Sequence, residues 1–351
     1  MKKIKRKLLC AALIGGIALL LVYGIGGSLG ALYFYNLNMA RIELDKPFSP
    51  YLSYEDIDKE AYPREQFAFS SGENTLAGFE YGSGGTRGLV VVAAGKGGSG
   101  DDYIGFITHF VDGGYTVISY DKTGVARSEG ETLLGLYQPV RDLDALLSYI
   151  EGQGKYGGLP MYLLGHSMGG YGVCAVLSRG HRVNAVVSMA GYNDGAALYT
   201  DQGLQMFGKK YYLLLPHFLA IQKITFGDDM AAAVDSINAT DTPVLVIHGK
   251  NDEMVTCDTL SIYSQRDKIT NPNVRYVLTE GDHEWLYSSK AAEEYRRQTE
   301  TAFAEYCLKN GAEATDEAMA LWAEEFGYDK VLRNEIDAEL LAQIDALFAG
   351  N

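Results

Sequence analysis

The sequence predicts an α/β protein: an eight-stranded, mostly parallel sheet with helices on both faces, preceded by an N-terminal transmembrane helix. Short β-rich runs recur along the chain, and some are continuously apolar, such as residues 89–92. Such runs are typical of strands that are buried on both faces of a parallel sheet. Between them lie helix-length segments with apolar residues at helical spacing, for example Leu143, Leu147 and Ile150. Strands that alternate with helices form right-handed βαβ units.

The predicted strands are separated by segments long enough for a crossover helix, except for the first pair. That pair is joined by the four residues 71–74, which resemble a hairpin turn, so these two strands are expected to be antiparallel. The eight predicted strands are residues 66–70, 76–81, 88–94, 115–120, 161–164, 185–189, 244–248 and 274–278.

The N-terminus combines a basic cluster with a long apolar run. Residues 8–35 follow the cluster, and the next charged residue is Arg41. About 20 apolar residues span a bilayer, and basic flanks stay cytoplasmic, so the rest of the chain is expected on the extracytoplasmic side. The alternative is a signal peptide cleaved before Ala31, which would release a secreted protein, although signal peptides have apolar regions of only about 7–15 residues. The basic cluster is Lys2, Lys3, Lys5, Arg6 and Lys7.

The patterns divide the chain into consecutive segments. We predict a transmembrane anchor at 1–35, a polar tether at 36–62, the main α/β domain at 63–310 and acidic helices packed on it at 311–351. The strand–helix alternation breaks at about 191–240, where aromatic residues are frequent. This insertion is either a helical lid over a pocket or a set of ordinary core helices.

Composition argues against several classes of function. A formal net charge of -15 disfavours nucleic-acid binding, because a polyanion would be repelled. The four cysteines form no C-x-x-C pair and no metal-ligand cluster, so no metal is expected and the thiols are interpreted as buried or free. The glycine-rich segment 94–100 lacks the G-x-x-x-x-G-K-[ST] pattern of a nucleotide site, and no cofactor is expected.

The strongest chemical signal is Gly165-His166-Ser167-Met168-Gly169. It follows a predicted strand and precedes a helix-like segment, and a serine on such a turn is exposed at the edge of the sheet as a nucleophile. Residues 26–30 also fit G-x-S-x-G, but they lie in the transmembrane run without a strand or a crossover helix. Ser167 is therefore the predicted catalytic nucleophile.

A nucleophilic serine needs a base, and the base needs an orienting acid. In this topology the expected chain order is serine, acid, histidine. His283 follows the last predicted strand, and Asp252 follows the strand before it, which makes them the predicted base and acid. Asp194, after the sixth strand, is the alternative acid. His248 at a strand end is interpreted as structural.

An oxyanion hole requires two backbone N–H groups. Met168, directly after the nucleophile, is predicted to supply one of them. Lys96, in the glycine-rich loop after the third strand, is predicted to supply the other through its main chain.

From about residue 66 to about residue 308 the chain resembles the α/β-hydrolase family, in particular its serine aminopeptidase-like and monoglyceride lipase-like branch. Many relatives have His-Gly where this chain has Ala94-Gly95, so the oxyanion loop is expected to differ in shape. The resemblance implies the α/β-hydrolase fold and an esterase, lipase, thioesterase or peptidase activity. It is carried by residues 94–98, 120–124, 165–169, 243–252 and 281–283.

These expectations combine into a membrane-anchored serine hydrolase. It would cleave an ester-type bond of a small acyl or lipid-like substrate through an acyl-enzyme on Ser167. A serine peptidase or an acyltransferase on the same fold is the first alternative. A non-catalytic, membrane-tethered scaffold is the second, although no member of the Ser-His-Asp set is missing.

Overall fold

The computed structural model of the chain describes residues 2–44 and 47–350, with side chains described from Ile4 onward. The side chains of Lys2 and Lys3 in the basic cluster, and Asp45 and Lys46 in the predicted tether, lie outside this description. All eight predicted strands are present, with ends within two residues of those expected. They are β1 (Arg64–Ser71), β2 (Asn74–Tyr81), β3 (Leu89–Ala93), β4 (Thr116–Tyr120), β5 (Met161–His166), β6 (Ala185–Met189), β7 (Val244–Gly249) and β8 (Val274–Thr279).

The strands form one sheet in the order β1-β2-β4-β3-β5-β6-β7-β8. β2 runs antiparallel to both of its neighbours, and the remaining pairs are parallel. The predicted mostly parallel sheet is therefore confirmed. Because parallel strands end at the same edge of a sheet, the loops after β3, β5, β7 and β8 lie together, where α/β folds place their ligand sites.

Helices cover both faces of the sheet, as predicted. Val91 of β3 belongs to a core cluster with residues of α3 and α4, whereas Val90 and Val92 pack in a second cluster with α2 and α11. Burying each such side chain contributes about 1.5–3 kcal/mol of transfer free energy. The helices are α1 (Lys2–Asn38), α2 (Ile104–Asp112), α3 (Gln138–Gly152), α4 (Met168–Ala175), α5 (Gly195–Phe207), α6 (Leu215–Phe226), α7 (Ala233–Asn238), α8 (Lys290–Asn310), α9 (Asp316–Phe326), α10 (Lys330–Arg333) and α11 (Ala338–Ala349).

Helix α1 is long and apolar enough to cross a membrane over Ile4–Asn38. Its first half is exposed, but its second half packs on the rest of the chain. Ala31, Tyr35 and the following Met39 are buried in the main core, and Phe34 contacts Phe207 of α5 with ring centroids 5.6 Å apart. The helix thus continues three residues beyond the predicted end of the anchor and ends inside the domain.

The predicted tether makes specific contacts with the rest of the domain. The Met39 carbonyl accepts the Leu133 N–H at 2.7 Å, and the Arg41 guanidinium donates to the Ser128 carbonyl at 2.8 Å. Farther along, Tyr51 stacks on Trp285 with centroids 5.8 Å apart. A polar, Pro-containing sequence predicts exposure, and these specific contacts have no signature in it.

Candidate active site

The nucleophile turn joins β5 to α4 within one residue, Ser167. Ser167 has φ +53° and ψ −113°, a backbone conformation that residues other than glycine rarely adopt. The turn is possible because the residues two positions before and two positions after Ser167 are glycines. A Cβ on Gly169 would overlap the Ala93 carbonyl, and one on Gly165 would overlap the Gly169 carbonyl. The structure therefore gives a physical reason for each glycine of the motif.

The three residues predicted as nucleophile, base and acid are brought together at the carboxyl edge of the sheet. His283 Nε2 lies 2.8 Å from Ser167 Oγ, and His283 Nδ1 lies 2.8 Å from Asp252 Oδ2. A carboxylate only accepts hydrogen bonds, so Nδ1 carries the ring proton and Nε2 is free to accept the Ser167 hydroxyl proton. The predicted alternative acid, Asp194, instead caps α5 by accepting the Ala197 N–H at 2.7 Å.

Asp252 is held as a buried carboxylate. Burial alone would raise its pKa, but hydrogen bonds from His248 and His283 and the charge of His283 outweigh burial and keep the pKa well below its ordinary value. Its second oxygen accepts the N–H of Met254 at 2.9 Å and of Val255 at 2.7 Å. The acid is therefore ionised and fixed in orientation.

His248 has a contact that the sequence did not reveal. Its Nε2 donates to the Val255 carbonyl at 2.8 Å and lies 3.2 Å from Asp252 Oδ2. His248 thus approaches the same Asp252 oxygen, Oδ2, as His283 does. The i, i+4 spacing of His248 and Asp252 was the available signal, but they lie at a strand end and in a loop rather than on one helix.

The predicted oxyanion donors lie on either side of Ser167. Met168 begins α4, and the loop that holds Lys96 comes so close that a Cβ on Gly95 would lie 3.4 Å from the Ser167 Cβ. Neither backbone N–H donates to a protein acceptor among residues 2–44 and 47–350. Both are available to a substrate oxygen, and their role in catalysis stays a prediction.

A hydrogen-bonded line connects the predicted oxyanion loop to the predicted base, His283. The Tyr103 hydroxyl accepts the Gly95 N–H at 3.2 Å and lies 2.7 Å from His166 Nδ1. His166 Nε2 donates to the His283 carbonyl at 2.8 Å, so Nδ1 is the acceptor and Tyr103 is the donor. Burial lowers the pKa of His166 to about 3, which keeps the ring neutral. Sequence reasoning missed both residues, because their partners are distant in sequence.

A buried lysine fixes the other end of the oxyanion loop. Lys122 Nζ donates to the Gly98 carbonyl at 2.7 Å, and Asp121 accepts the Gly100 N–H at 2.9 Å. Burial lowers the pKa of Lys122 to about 8. Both residues belong to the 120–124 segment of the resemblance, which indicated their importance without indicating their contacts.

Ser167 and His283 line a cavity of about 400 Å³. A larger cavity of about 840 Å³ shares Ile42 and Tyr51 in its lining. Both are residues of the predicted tether, whereas no residue of 191–240 lines the cavity at Ser167. The lid interpretation of the insertion stays a prediction. The lining of the smaller cavity includes Lys96, Met254, Glu284 and Tyr287.

Metal ligation finds no support in the part of the chain that the structure describes. Across residues 2–44 and 47–350, no group of three or more His, Cys, Asp or Glu side chains could hold a metal ion. The four cysteines are free thiols, and Cys174 and Cys257 are buried.

This architecture is similar to that of known proteins. Residues 84–225 match the family model of serine aminopeptidase, S33. The Pyrococcus furiosus esterase Pf2001 superposes with a TM-score of 0.54 at 17% identity, covering 77% of this chain and 98% of the esterase. An acylaminoacyl peptidase in complex with a chloromethyl ketone superposes with a TM-score of 0.50 at 16% identity, covering 74% of this chain and 44% of the peptidase. No curated protein matched the sequence.

These comparisons confirm the resemblance and the fold. The matched family segment contains the oxyanion loop and the nucleophile turn, and it ends before Asp252 and His283. The chain therefore has the α/β-hydrolase fold, with a serine aminopeptidase-like segment around Ser167.

Proposed function

We propose that this chain, an α/β-hydrolase by fold, is a membrane-anchored serine hydrolase that cleaves an acyl ester through an acyl-enzyme on Ser167. The observation that carries the proposal is the hydrogen-bonded line from Ser167 through His283 to Asp252, which opens into a cavity. Such a line activates a serine hydroxyl, because the base accepts its proton as the oxygen attacks.

The reaction follows from the protonation states. As Ser167 Oγ bonds to the carbonyl carbon, its proton moves to His283 Nε2, and Asp252 stabilises the resulting imidazolium. The Met168 and Lys96 N–H groups donate to the oxyanion. His283 then gives the proton to the departing alkoxide. Water that is deprotonated by His283 then attacks the acyl-enzyme. This step releases the carboxylic acid product and restores Ser167.

Packing of α1 supports its retention as an anchor. Tyr23 donates to the Leu213 carbonyl at 2.8 Å, and Ser28 lies 3.1 Å from His217 Nδ1. Cleavage before Ala31 would remove both contacts. We therefore favour a single-pass protein with a cytoplasmic N-terminus and an extracytoplasmic catalytic domain.

Hydrolysis of acyl p-nitrophenyl esters by the full-length chain in detergent tests the catalytic proposal. Ser167→Ala should lower kcat/KM by about 10⁴-fold or more, because it removes the nucleophile. Ser28→Ala, in the other G-x-S-x-G sequence, is the matched control and should retain the parent rate. Full activity in a folded Ser167→Ala variant would refute the assignment. Adding an alcohol and analysing products distinguishes hydrolysis from acyl transfer.

A serine peptidase is the second candidate, and one residue favours it. Glu284 follows the base, lines the cavity and is half-buried, and its carboxylate has no hydrogen-bond or ion-pair partner among the described residues. Burial raises its pKa, so a cationic group at this position would relieve an unfavourable burial. The free amino terminus of a peptide would supply that cation.

Matched substrates separate the two candidates. Ester and amide forms of one aminoacyl group, each with a free or an acetylated amine, should be compared for the parent and for Glu284→Gln. A peptidase predicts amide cleavage with a preference for the free amine, and loss of that preference in Glu284→Gln through KM. Ester cleavage that is indifferent to the amine would support the esterase and exclude this role of Glu284.

A further inference from the structure

The insertion has an exposed apolar corner beside the membrane helix. The 3₁₀ helix Gly208–Leu213 turns directly into α6, and Tyr212 and Leu213 at this corner are 56% and 65% exposed. Residues 209–216, which we call the tip, contain two lysines and no acidic residue. The side chains of Lys209 and Lys210 are exposed.

Contacts with α1 define which part of that helix lies beside the tip. Leu213 accepts the Tyr23 hydroxyl through its carbonyl at 2.8 Å. One turn farther along each helix, Ser28 meets His217. Closer to the C-terminus of α1, Phe34 packs on Phe207. From Phe207 the chain therefore runs along α1 toward the N-terminus of that helix, reverses direction at the tip and returns in α6.

The length of α1 places the tip at the membrane surface. A span of about 20 residues that begins at Leu8, the first residue after the basic cluster, ends near Gly27. Leu213 lies level with Tyr23, four residues before that point, which is about 6 Å along the helix axis. Interfacial segments bury their apolar faces by about 5–10 Å. The tip, about 6 Å before the end of the span, therefore lies within this range of depths in the conformation that the structure shows.

The composition of the tip suits that location. Tyrosine is enriched at the boundary between acyl chains and headgroups, and a leucine beside it gains free energy by leaving water. Lysines next to such a patch attract anionic headgroups by their charge. In water the same residues would form an exposed apolar corner.

We propose that the tip docks into the interfacial layer of the leaflet on the domain side of the bilayer that α1 crosses. The insertion is then a second membrane contact, and with α1 it fixes the orientation of the catalytic domain. This inference rests on the proposed retention of α1 as an anchor, and it is independent of the reaction at Ser167.

Tryptophan quenching by brominated lipids tests the docking on the full-length chain. The chain is reconstituted into vesicles of phosphatidylcholine and phosphatidylglycerol, with or without bromine on the acyl chains. Leu213→Trp probes the tip, and Leu13→Trp probes the exposed half of α1. Leu308→Trp is the control, because Leu308 is 84% exposed on α8. The native Trp285 and Trp322 are 7% and 4% exposed and provide a constant background that is subtracted.

The proposal predicts that Leu13→Trp and Leu213→Trp lose most of their added fluorescence in brominated vesicles, while Leu308→Trp keeps it. Quenching at residue 13 with none at residue 213 would overturn the docking and leave the anchor intact. Absence of quenching at residue 13 would overturn the anchor and the docking together. Equal quenching at residue 308 would indicate unoriented adsorption and would also contradict the proposal. Ester hydrolysis by the same samples reports separately on Ser167.

Discussion

The candidate catalytic edge of the sheet, around Ser167, and the insertion are held together by different forces. At the catalytic edge, hydrogen bonds of 2.7–3.2 Å join residues that are 8 to 117 positions apart in sequence, from Gly95 through Tyr103 and His166 to His283. The insertion is held mainly by aromatic packing, such as Tyr35 against Tyr199 and Tyr211 against Phe218. Within it, both polar atoms of the buried Gln222 lack a hydrogen-bond partner among the described residues.

This difference separates two kinds of consequence. Hydrogen bonds are directional, so their loss moves reacting atoms, and small displacements at a reacting centre reduce rate strongly. Aromatic packing in the insertion is less directional and does not reach the cavity at Ser167. We therefore expect substitutions at the edge to change catalysis, and those in the insertion to change stability or membrane contact.

The largest expected contrast is between the two candidate acids, one in each region. Asp252→Asn should lower kcat by about 10³–10⁴-fold, because an amide can donate to His283 Nδ1 and favour the wrong tautomer. Asp194→Asn should keep the parent rate, since asparagine caps a helix about as well as aspartate. Steady-state kinetics on one acyl ester compare them.

Thermal unfolding of both variants is the control for folding. A rate loss at Asp194 that matched or exceeded the loss at Asp252 would reverse the assignment of the acid. It would also mean that the insertion takes part in catalysis.

Two buried tyrosines allow a matched comparison of intermediate size. The Tyr103 hydroxyl accepts the Gly95 N–H and bonds to His166, whereas the Tyr137 hydroxyl accepts the Ala196 N–H and donates to Asp194. Tyr103→Phe leaves the buried Gly95 N–H unpaired and Tyr137→Phe leaves the partly buried Ala196 N–H unpaired. Each loss should cost about 1–3 kcal/mol of unfolding free energy.

Their effects on rate should differ. Tyr103→Phe should lower kcat by about 10-fold through loss of positioning, with little change in KM, while Tyr137→Phe should leave both constants near the parent values. Equal kcat values for the two variants, at equal stability, would argue against a role for the Tyr103 line in catalysis.

The third comparison concerns the pH dependence of stability and involves no change in rate. His166 is neutral in the folded chain because burial lowers its pKa to about 3, whereas an unfolded histidine takes up a proton near pH 6.5. The unfolded state therefore binds more protons below about pH 6.5, and stability falls as the pH drops, by up to about 1.4 kcal/mol per pH unit. His166→Gln retains one acceptor and one donor but cannot titrate.

Chemical unfolding between pH 6.5 and 4.5 measures this effect, since the unfolded carboxylates titrate mainly below that range. The difference in unfolding free energy between the parent and His166→Gln should shrink or reverse as the pH falls. Parallel curves would show that the buried ring is not the source of the dependence.

The sequence predicted those parts of the molecule in which local pattern and chemistry coincide. Alternation and apolar runs located all eight strands, and glycine spacing located the turn at Ser167, because a short turn between β5 and α4 requires glycine. The positions of Asp252 and His283 followed from the strand order alone.

The remainder depends on tertiary contacts without a local pattern. The hydrogen bonds of Tyr103, His166 and Lys122 have no signature in the sequence, since their partners come from other segments. The aromatic residues of the insertion left open whether it is a lid or a set of core helices, and their contacts with α1 have no pattern in the sequence. The residues after α1 read as a tether, yet Ile42 and Tyr51 line the cavity.

A fluorophosphonate probe tests whether Ser167 is the activated nucleophile. The full-length chain is labelled with the probe, and the modified peptide is mapped by mass spectrometry. We expect a single adduct on Ser167 that is absent in Ser167→Ala and forms much more slowly in His283→Ala, because the hydroxyl then has no base. A folded parent that remains unlabelled, or an adduct at another residue, would contradict this expectation.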